Sequence, residues 1–270
     1  MSTLREDQIQ RYARHIVLQE VGGVGQSALL AAKVLVVGAG GLGSPLLMYL
    51  AAAGVGTIGV VDDDEVSLSN LQRQIAHGTP DIGRAKVDSA KDRAAALNPE
   101  VSLVPYRMRL NPDNVMDLLA DYDIIADGSD NFDTRFLLND ACFLAKKTLV
   151  SAAVLRFDGQ LSTYKAYLGP PNPCYRCIFP EPPPPDAIPS CSQGGVLGAM
   201  AGVMGTMQAT EVLKEILGIG KSLSGRLLIH DGLAGEFRTV RVKPDPSCAL
   251  CGENPTIVDL ARSFNDQGDT

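Results

Sequence analysis

The longest stretch of this sequence without a charged side chain runs from residue 34 to residue 61. That length is sufficient for a transmembrane helix. Seven glycines and Pro45 interrupt the stretch, however, and apolar runs at its two ends are typical of buried strands. We therefore predict a strand, a glycine turn, a buried helix and a second strand that ends at Asp62.

Further along the chain, helix-like and strand-like segments alternate as in a doubly wound α/β protein. After Ser151 the strand-like runs are no longer separated by regular crossovers, which indicates an antiparallel C-terminal extension. We thus expect a Rossmann-like, mostly parallel sheet with this extension. The predicted helices cover residues 5–18, 84–97, 113–120, 131–145 and 195–217, and the later predicted strands cover residues 101–104, 122–126, 148–153, 160–167, 226–229 and 237–242.

Composition limits the class of protein and its partners. The 270 residues are 45% hydrophobic and carry a formal net charge of −7, which fits one large globular domain at residues 1–260 with a flexible tail at 261–270. An acidic chain without a Lys/Arg-rich run is not expected to coat nucleic acid or an anionic membrane. Charged residues among the first thirty exclude a secretory signal, so we expect a cytoplasmic protein with reduced cysteines.

A glycine motif follows the first predicted strand. Gly38-x-Gly40-x-x-Gly43 opens a helix, and Asp62 ends the next strand at the spacing of a ribose-binding carboxylate. Such glycines let the backbone approach a nucleotide closely, and the helix start favours negative charge. The motif alone is a weak signal, because a ligand-free turn also satisfies it. A nicotinamide cofactor is the default ligand, and no Walker A lysine follows the glycines.

Two cationic segments lie downstream, and a dehydrogenase does not require them. Arg73 lies in the segment 69–74, and Lys86 follows Gly83 at the start of the next helix. A guanidinium and an ammonium at one sheet edge suit a polyphosphate leaving group, although either residue alone is often a solvated surface charge. The run from Asp127 to Asn131 ends a strand, where an aspartate either holds Mg²⁺ or caps the following helix.

Cysteine spacing predicts a structural zinc site. Two Cys-x-x-Cys pairs supply four thiolates, and the alternative is independent buried or redox-active pairs. Cys142 is expected in the core, whereas Cys191 lies near a predicted helix start that would stabilise a thiolate, or it is a bystander. The histidines show no catalytic dyad and are assigned to the surface or to packing. The predicted zinc ligands are Cys174, Cys177, Cys248 and Cys251.

Taken together, these motifs resemble the ThiF/MoeB/HesA family, bacterial relatives of ubiquitin-activating enzymes, and most closely its MoeB-type members. The resemblance extends over nearly the whole chain, to about residue 252. It implies ATP-dependent adenylylation of the C-terminal glycine of a ubiquitin-fold sulfur carrier, MoaD-like or ThiS-like, with release of pyrophosphate, for sulfur transfer in molybdopterin or thiamin biosynthesis. The segments that carry it are 10–15, 38–43, 69–74, 83–86 and 127–135, together with both Cys-x-x-Cys pairs.

The resemblance also implies a role for individual residues. Asp62 would bind ribose, Asp130 would hold Mg²⁺ with Asn131 beside it, and Arg14 would reach the phosphates from the other subunit of a homodimer. Cys191 matches a cysteine that forms a covalent carrier adduct in some members and is dispensable in others. Arg73 and Lys86 would neutralise the phosphates. The nucleotide would be lined by Gly41, Ser69, Asn70, Leu71, Gln72 and Arg73.

On the same resemblance, residues about 30–155 form the nucleotide-binding part and residues about 156–252 the carrier-binding and zinc part. The chain ends about twenty residues after Cys251 without a rhodanese domain, so we expect a separate protein to donate the sulfur. Two other functions stay open: an NAD-dependent dehydrogenase, and a nucleotide-binding regulatory subunit without catalysis.

Overall fold

The computed structural model describes residues 4–184 and 194–260. Its eight strands are β1 (Lys33–Val37), β2 (Thr57–Val61), β3 (Ser102–Tyr106), β4 (Ile124–Asp127), β5 (Thr148–Leu155), β6 (Asp158–Tyr164), β7 (Arg226–Asp231) and β8 (Glu236–Arg241). The α-helices are α1 (Glu6–Arg11), α2 (Ala13–Ile16), α3 (Gly22–Ala31), α4 (Gly43–Ala53), α5 (Lys86–Leu97), α6 (Val115–Ala120), α7 (Phe132–Leu144) and α8 (Gly198–Leu217). Within these ranges, no helix has both the length and the apolar composition needed to span a bilayer.

One mixed sheet contains all eight strands, in the order β3-β2-β1-β4-β5-β6-β7-β8. The first five strands in this order pair in parallel. From β5 to β8 each strand pairs antiparallel with the next. The predicted α/β fold with a mostly parallel sheet is therefore confirmed, and the sheet continues into an antiparallel part.

Both faces of the parallel part of the sheet are covered, as the uninterrupted apolar strands predict, whereas β8 is exposed. Side chains of β1 alternate between two buried clusters. Val34 and Val36 pack in a cluster with apolar residues of α4, α5 and α8. Leu35 and Val37 pack in a second cluster with α6 and α7. The core therefore lies in two layers, and the strand ends are left to form a site.

The predicted N-terminal helix at 5–18 is wrong in its continuity. The chain leaves helical geometry at Tyr12, between α1 and α2, where φ is −101° and ψ is 16°. Tyr12 is buried, and its hydroxyl accepts a 2.9 Å hydrogen bond from Asn98 Nδ2. Helix α3 was not predicted, because its three glycines weaken the local helical signal. The predicted tail at 261–270 lies outside the described residues.

Candidate functional site

The glycine turn lies where the strand order reverses between β1 and β4, at the carboxyl ends of the parallel strands. Open α/β sheets bind ligands at this position. Gly38 has a φ of +94°, and a Cβ there would lie 2.9 Å from the carbonyl oxygen of Gly128. A Cβ at Gly43 would overlap the carbonyl oxygen of Gly38. Only glycine therefore allows α4 to start this close to β1 and β4.

Asp62 and Lys86 meet beside the turn. Asp62 follows β2, and its carboxylate accepts hydrogen bonds from the backbone N–H groups of Ala39, at 2.8 Å, and Asp64, at 2.9 Å. Lys86 Nζ lies 3.9 Å from Asp62 Oδ1 and 2.6 Å from Asp64 Oδ2. Burial raises the pKa of the Asp62 carboxyl, although Lys86 and the two N–H groups act in the opposite direction. A buried cation and a nearly buried carboxylate thus flank the turn.

The segment 69–74 brings a second cation to the turn. The Arg73 guanidinium donates a 3.1 Å hydrogen bond to the carbonyl oxygen of Ser69. A Cβ at Gly41 would lie 3.5 Å from the Arg73 side chain and 3.2 Å from Ala201 of α8. Ser69 and Gln72 are exposed, while Asn70, Leu71 and Arg73 are half-buried. The structure therefore brings Gly41, Arg73, Asp62 and Lys86 to one edge of the sheet.

The polar residues at the end of β4 differ in burial and in the hydrogen bonds that they form. Asp127 is fully buried and accepts hydrogen bonds from Ser129 and Ser151, so it serves the fold. Asn131 is the N-cap of α7, because its side chain accepts a 2.8 Å bond from the Thr134 N–H. The side chain of Asp130 is exposed between them.

The predicted residue Arg14 belongs to the N-terminal segment. Arg14 lies on α2 with its side chain exposed. Its neighbour His15 is anchored through a 3.1 Å contact between Nδ1 and Gln26 Oε1, and Gln26 donates to the Ala53 carbonyl at 3.0 Å. Cys191 lies outside the described residues.

The four cysteines of the two pairs converge. Cys174 and Cys177 follow β6, Cys248 and Cys251 follow β8, and the four thiols lie within 4.8 Å of one another. The sulfur–sulfur distances are 3.9 Å within the first pair and 3.4–3.5 Å between the pairs. A tetrahedral zinc ion with Zn–S bonds of about 2.3 Å has sulfur–sulfur separations of roughly 3.8 Å. None of the four cysteines forms a disulfide, and Cys142 lies buried in the core as expected.

One histidine has a position that the sequence did not reveal. His77 is buried, with Nε2 2.9 Å from the Ala39 carbonyl oxygen and Nδ1 2.9 Å from Ser89 Oγ. It therefore joins the glycine turn to α5. The only signal in the sequence is that His77 follows the segment 69–74 by three residues.

Comparisons with known proteins agree with this architecture. The sequence is 54% identical over 260 residues to "Adenylyltransferase and sulfurtransferase MOCS3" of Bos taurus, covering 96% of this chain and 56% of that protein. The chain thus spans little more than half the length of that relative. It is 48% identical over 257 residues to the "Sulfur carrier protein adenylyltransferase" of Thermus thermophilus, covering 94% of this chain and 95% of the relative.

The fold is also found among solved structures. The E. coli MccB structure with ATP has a TM-score of 0.77 at 21% identity, covering 89% of this chain and 74% of that one. This likeness extends to the fold alone. The model of the ThiF family matches residues 12–250, which include the glycine turn, both cationic segments and three of the four clustered cysteines, with Cys251 one residue beyond the match. The chain belongs to the ThiF family.

Proposed function

We propose that this protein uses ATP to adenylylate the C-terminal glycine of a ubiquitin-fold sulfur carrier, MoaD-like or ThiS-like, and releases pyrophosphate. One observation carries the proposal: the glycine turn, the Asp62–Lys86 pair and Arg73 lie together at the switch point of the sheet. A backbone cradle with two cations suits a nucleoside triphosphate. The relatives named as adenylyltransferases support the same reaction.

The chemistry needs positioning more than proton transfer. A carrier carboxylate attacks the α-phosphorus of ATP, the bond to the bridging oxygen breaks, and pyrophosphate leaves with that electron pair. Because a carboxylate is already a nucleophile at neutral pH, no general base is required. Arg73 and Lys86 stabilise the charge that develops on the phosphates, and Asp62 orients the ribose.

The exposed carboxylate of Asp130 fits Mg²⁺, which prefers oxygen ligands. When bound, Mg²⁺ would neutralise part of the phosphate charge. In this proposal Asn131 lies beside the metal ligand, and Ser69, Asn70, Leu71, Gln72 and Gly41 line the nucleotide. Residues about 30–155 would form the nucleotide-binding part and residues about 156–252 the carrier-binding part, within one adenylation domain at 1–260.

The cysteine cluster fits one structural Zn²⁺, because four mutually close thiols can supply all four ligands of a closed tetrahedral site. Cys174, Cys177, Cys248 and Cys251 would hold the ion away from the glycine turn. We assign it the role of joining two segments that are distant in sequence, not a role in adenylation.

Further parts of the proposal concern assembly and later steps. A cytoplasmic homodimer would place the exposed Arg14 of one subunit at the phosphates of the other. Cys191 would either form a carrier adduct after adenylation or take no part. A separate protein would then supply sulfur to the activated carrier, in the molybdopterin or the thiamin pathway.

Carrier-dependent exchange of labelled pyrophosphate into ATP tests the reaction. We expect exchange with a MoaD-like or a ThiS-like carrier, and none when the carrier lacks its C-terminal glycine. Hydride transfer to NAD without exchange would identify a dehydrogenase instead, and nucleotide binding with neither reaction would identify a regulatory subunit.

A matched pair of lysine variants tests the site itself. Lys86→Met removes the buried ammonium and should lower exchange on the order of a hundredfold or more. Lys91→Met alters an exposed lysine of the same helix and should leave exchange unchanged. Equal rates in the two variants would contradict the assignment of Lys86.

A further inference from the structure

His77 has its hydrogen-bonding roles fixed by its partners. A carbonyl oxygen only accepts, so the proton must be on Nε2, which donates to Ala39. In the neutral ring Nδ1 then accepts from the Ser89 hydroxyl. The side chain is 7% exposed, so water does not compete for these bonds. His77 is therefore held in one tautomer and one orientation.

The partner of His77 belongs to the glycine turn. Ala39 lies between Gly38 and Gly40 and is fully buried. Its N–H donates to Asp62 Oδ2 at 2.8 Å, while its carbonyl accepts from His77. Both polar groups of this residue are thus held by side chains from outside the turn. Because the Ala39 carbonyl and the Gly40 N–H belong to one planar peptide unit, fixing that carbonyl also fixes the direction of the Gly40 N–H.

The second partner of His77, Ser89, lies on α5, the helix that also carries Lys86. Ser89 lies one turn after Lys86 on α5. Lys86 Nζ lies 3.9 Å from the Asp62 carboxylate, which in turn holds Ala39. The turn, Asp62, Lys86, Ser89 and His77 therefore form a closed set of contacts. His77, through Ser89, gives the turn a second connection to the helix of Lys86, in addition to the one through Asp62.

Burial favours the neutral form of the His77 ring. Burial lowers the pKa of His77, and the nearby Lys86 ammonium lowers it further. The carboxylates of Asp81 and Asp62 act in the opposite direction but do not reverse the shift. At neutral pH the ring therefore makes the two bonds described without introducing a charge into the site.

We propose that His77 is a positioning residue for ATP, which orients the glycine turn through the Ala39 carbonyl and sets its distance from Lys86. The assignment rests on the proposed function, because it concerns the same nucleotide site. His77 does not touch the reacting atoms in this proposal. Its effect is on the affinity of the glycine turn for ATP.

Two amide variants of the full-length protein separate this role from simple packing. In His77→Gln the amide nitrogen can occupy the position of Nε2 and donate to Ala39. In His77→Asn the amide ends near the position of Nδ1, so it reaches Ser89 but not Ala39. The variants carry the same amide group, and they differ in one methylene and in whether the amide reaches the turn.

We expect His77→Asn to raise the dissociation constant and the KM for ATP on the order of tenfold, since one buried hydrogen bond to the turn is lost. His77→Gln should bind ATP within a few fold of the wild-type protein. The rate constant at saturating ATP should change little in either variant. Binding is measured by titration calorimetry with ATP and Mg²⁺ and without carrier, and folding is checked by circular dichroism.

Equal ATP affinity in the wild-type protein and His77→Asn would overturn the assignment, even if exchange activity were intact. Equal loss of affinity in the two amide variants would also overturn it, since that result indicates a packing role. Absence of carrier-dependent exchange in a wild-type protein that binds ATP would instead contradict the proposed function. The two failures are therefore distinguishable.

Discussion

At the scale of single residues, the site depends on how the buried ammonium of Lys86 is paired. Its side chain is 6% exposed, and its ammonium is paired with the exposed Asp64 and lies near Asp62. A buried cation requires such partners, because an unpaired one would be costly to desolvate. The same partners hold the ammonium beside the glycine turn. The ion pairs that allow Lys86 to be buried thus also place its ammonium where we propose that it neutralises the phosphates.

Adenylation should distinguish Asp130 from Cys191. Asp130→Ala removes the proposed Mg²⁺ ligand and should lower carrier-dependent pyrophosphate exchange on the order of a thousandfold or more. Cys191→Ala should retain exchange within a few fold, because a thiol supplies neither charge stabilisation nor nucleotide binding. Exchange rates and ATP affinity are measured for both. A Cys191→Ala protein that is folded and binds ATP but lacks exchange would show that Cys191 is needed for adenylation and would contradict the prediction.

The lowered pKa of His77 predicts a dependence of stability on pH. The unfolded histidine titrates near its ordinary pKa of 6.5, whereas the folded one stays neutral to lower pH. The unfolded state therefore binds more protons as pH falls below that value, so the free energy of unfolding decreases, by at most about 1.4 kcal/mol per pH unit from this group. When the pH is lowered from 7.5 to 5.5, the melting temperature of His77→Gln should fall less than that of the wild-type protein. An equal fall in melting temperature in the two proteins would count against the prediction.

At the scale of elements, α7 connects the nucleotide edge to the cysteine cluster. The helix begins beside Asp130, and in its last turns Asn139 Oδ1 accepts a 2.8 Å bond from the Tyr175 N–H. The neighbouring Asp140 carboxylate forms bonds of 2.8 and 2.7 Å with the Arg176 guanidinium. The first cysteine pair is therefore fixed to the core by α7. The second cysteine pair follows β8, and in our proposal the Zn²⁺ joins it to the first pair.

Removal of a cysteine ligand should destabilise that junction. Cys248→Ser should lose stoichiometric zinc and several kcal/mol of stability, with a lower melting temperature. Cys142→Ala is the matched control, because it alters a buried cysteine outside the cluster and should keep its zinc. Metal analysis and thermal melts measure both. Wild-type protein without zinc, or unchanged stability in Cys248→Ser, would rule out the structural metal.

At the scale of the whole molecule, the N-terminal segment lies packed on the helical layer and presents a charged surface. Tyr12 is buried against Gly54 and bonded to Asn98, and the Gln26 amide links His15 to α4. These anchors hold α2 in place, while the side chain of Arg14 is exposed. An exposed arginine on an anchored segment suits a role toward a second subunit.

Mixed dimers test that role. Subunits with Arg14→Ala and subunits with Asp130→Ala should each lack exchange, and their mixture should recover up to one working site per heterodimer. The recovery is expected because each site draws Arg14 from one chain and Asp130 from the other. Exchange is measured after subunit mixing has been demonstrated with differently tagged chains. No recovery despite mixing would show that Arg14 does not act across the interface.

Local patterns in the sequence were sufficient to predict most of the elements. The apolar runs of β1 and β2, the glycines after β1 and the spacing of the cysteines each depend on residues close together in the chain. Periodicity and turn chemistry act at that range. The family resemblance extended these patterns to the proposed roles of Arg73, Lys86 and Asp130.

The sequence by itself thus determined the α/β class, the glycine turn and the candidate cysteine ligands. Only the tertiary structure revealed the break at Tyr12, the bond from His77 to Ala39 and the Asp140–Arg176 pair. The two members of the His77 contact are 38 positions apart in the chain, and those of the carboxylate–guanidinium pair are 36 apart. No local pattern encodes such partners, because they meet only when separate strands and helices pack, and burial then requires each polar group to be satisfied.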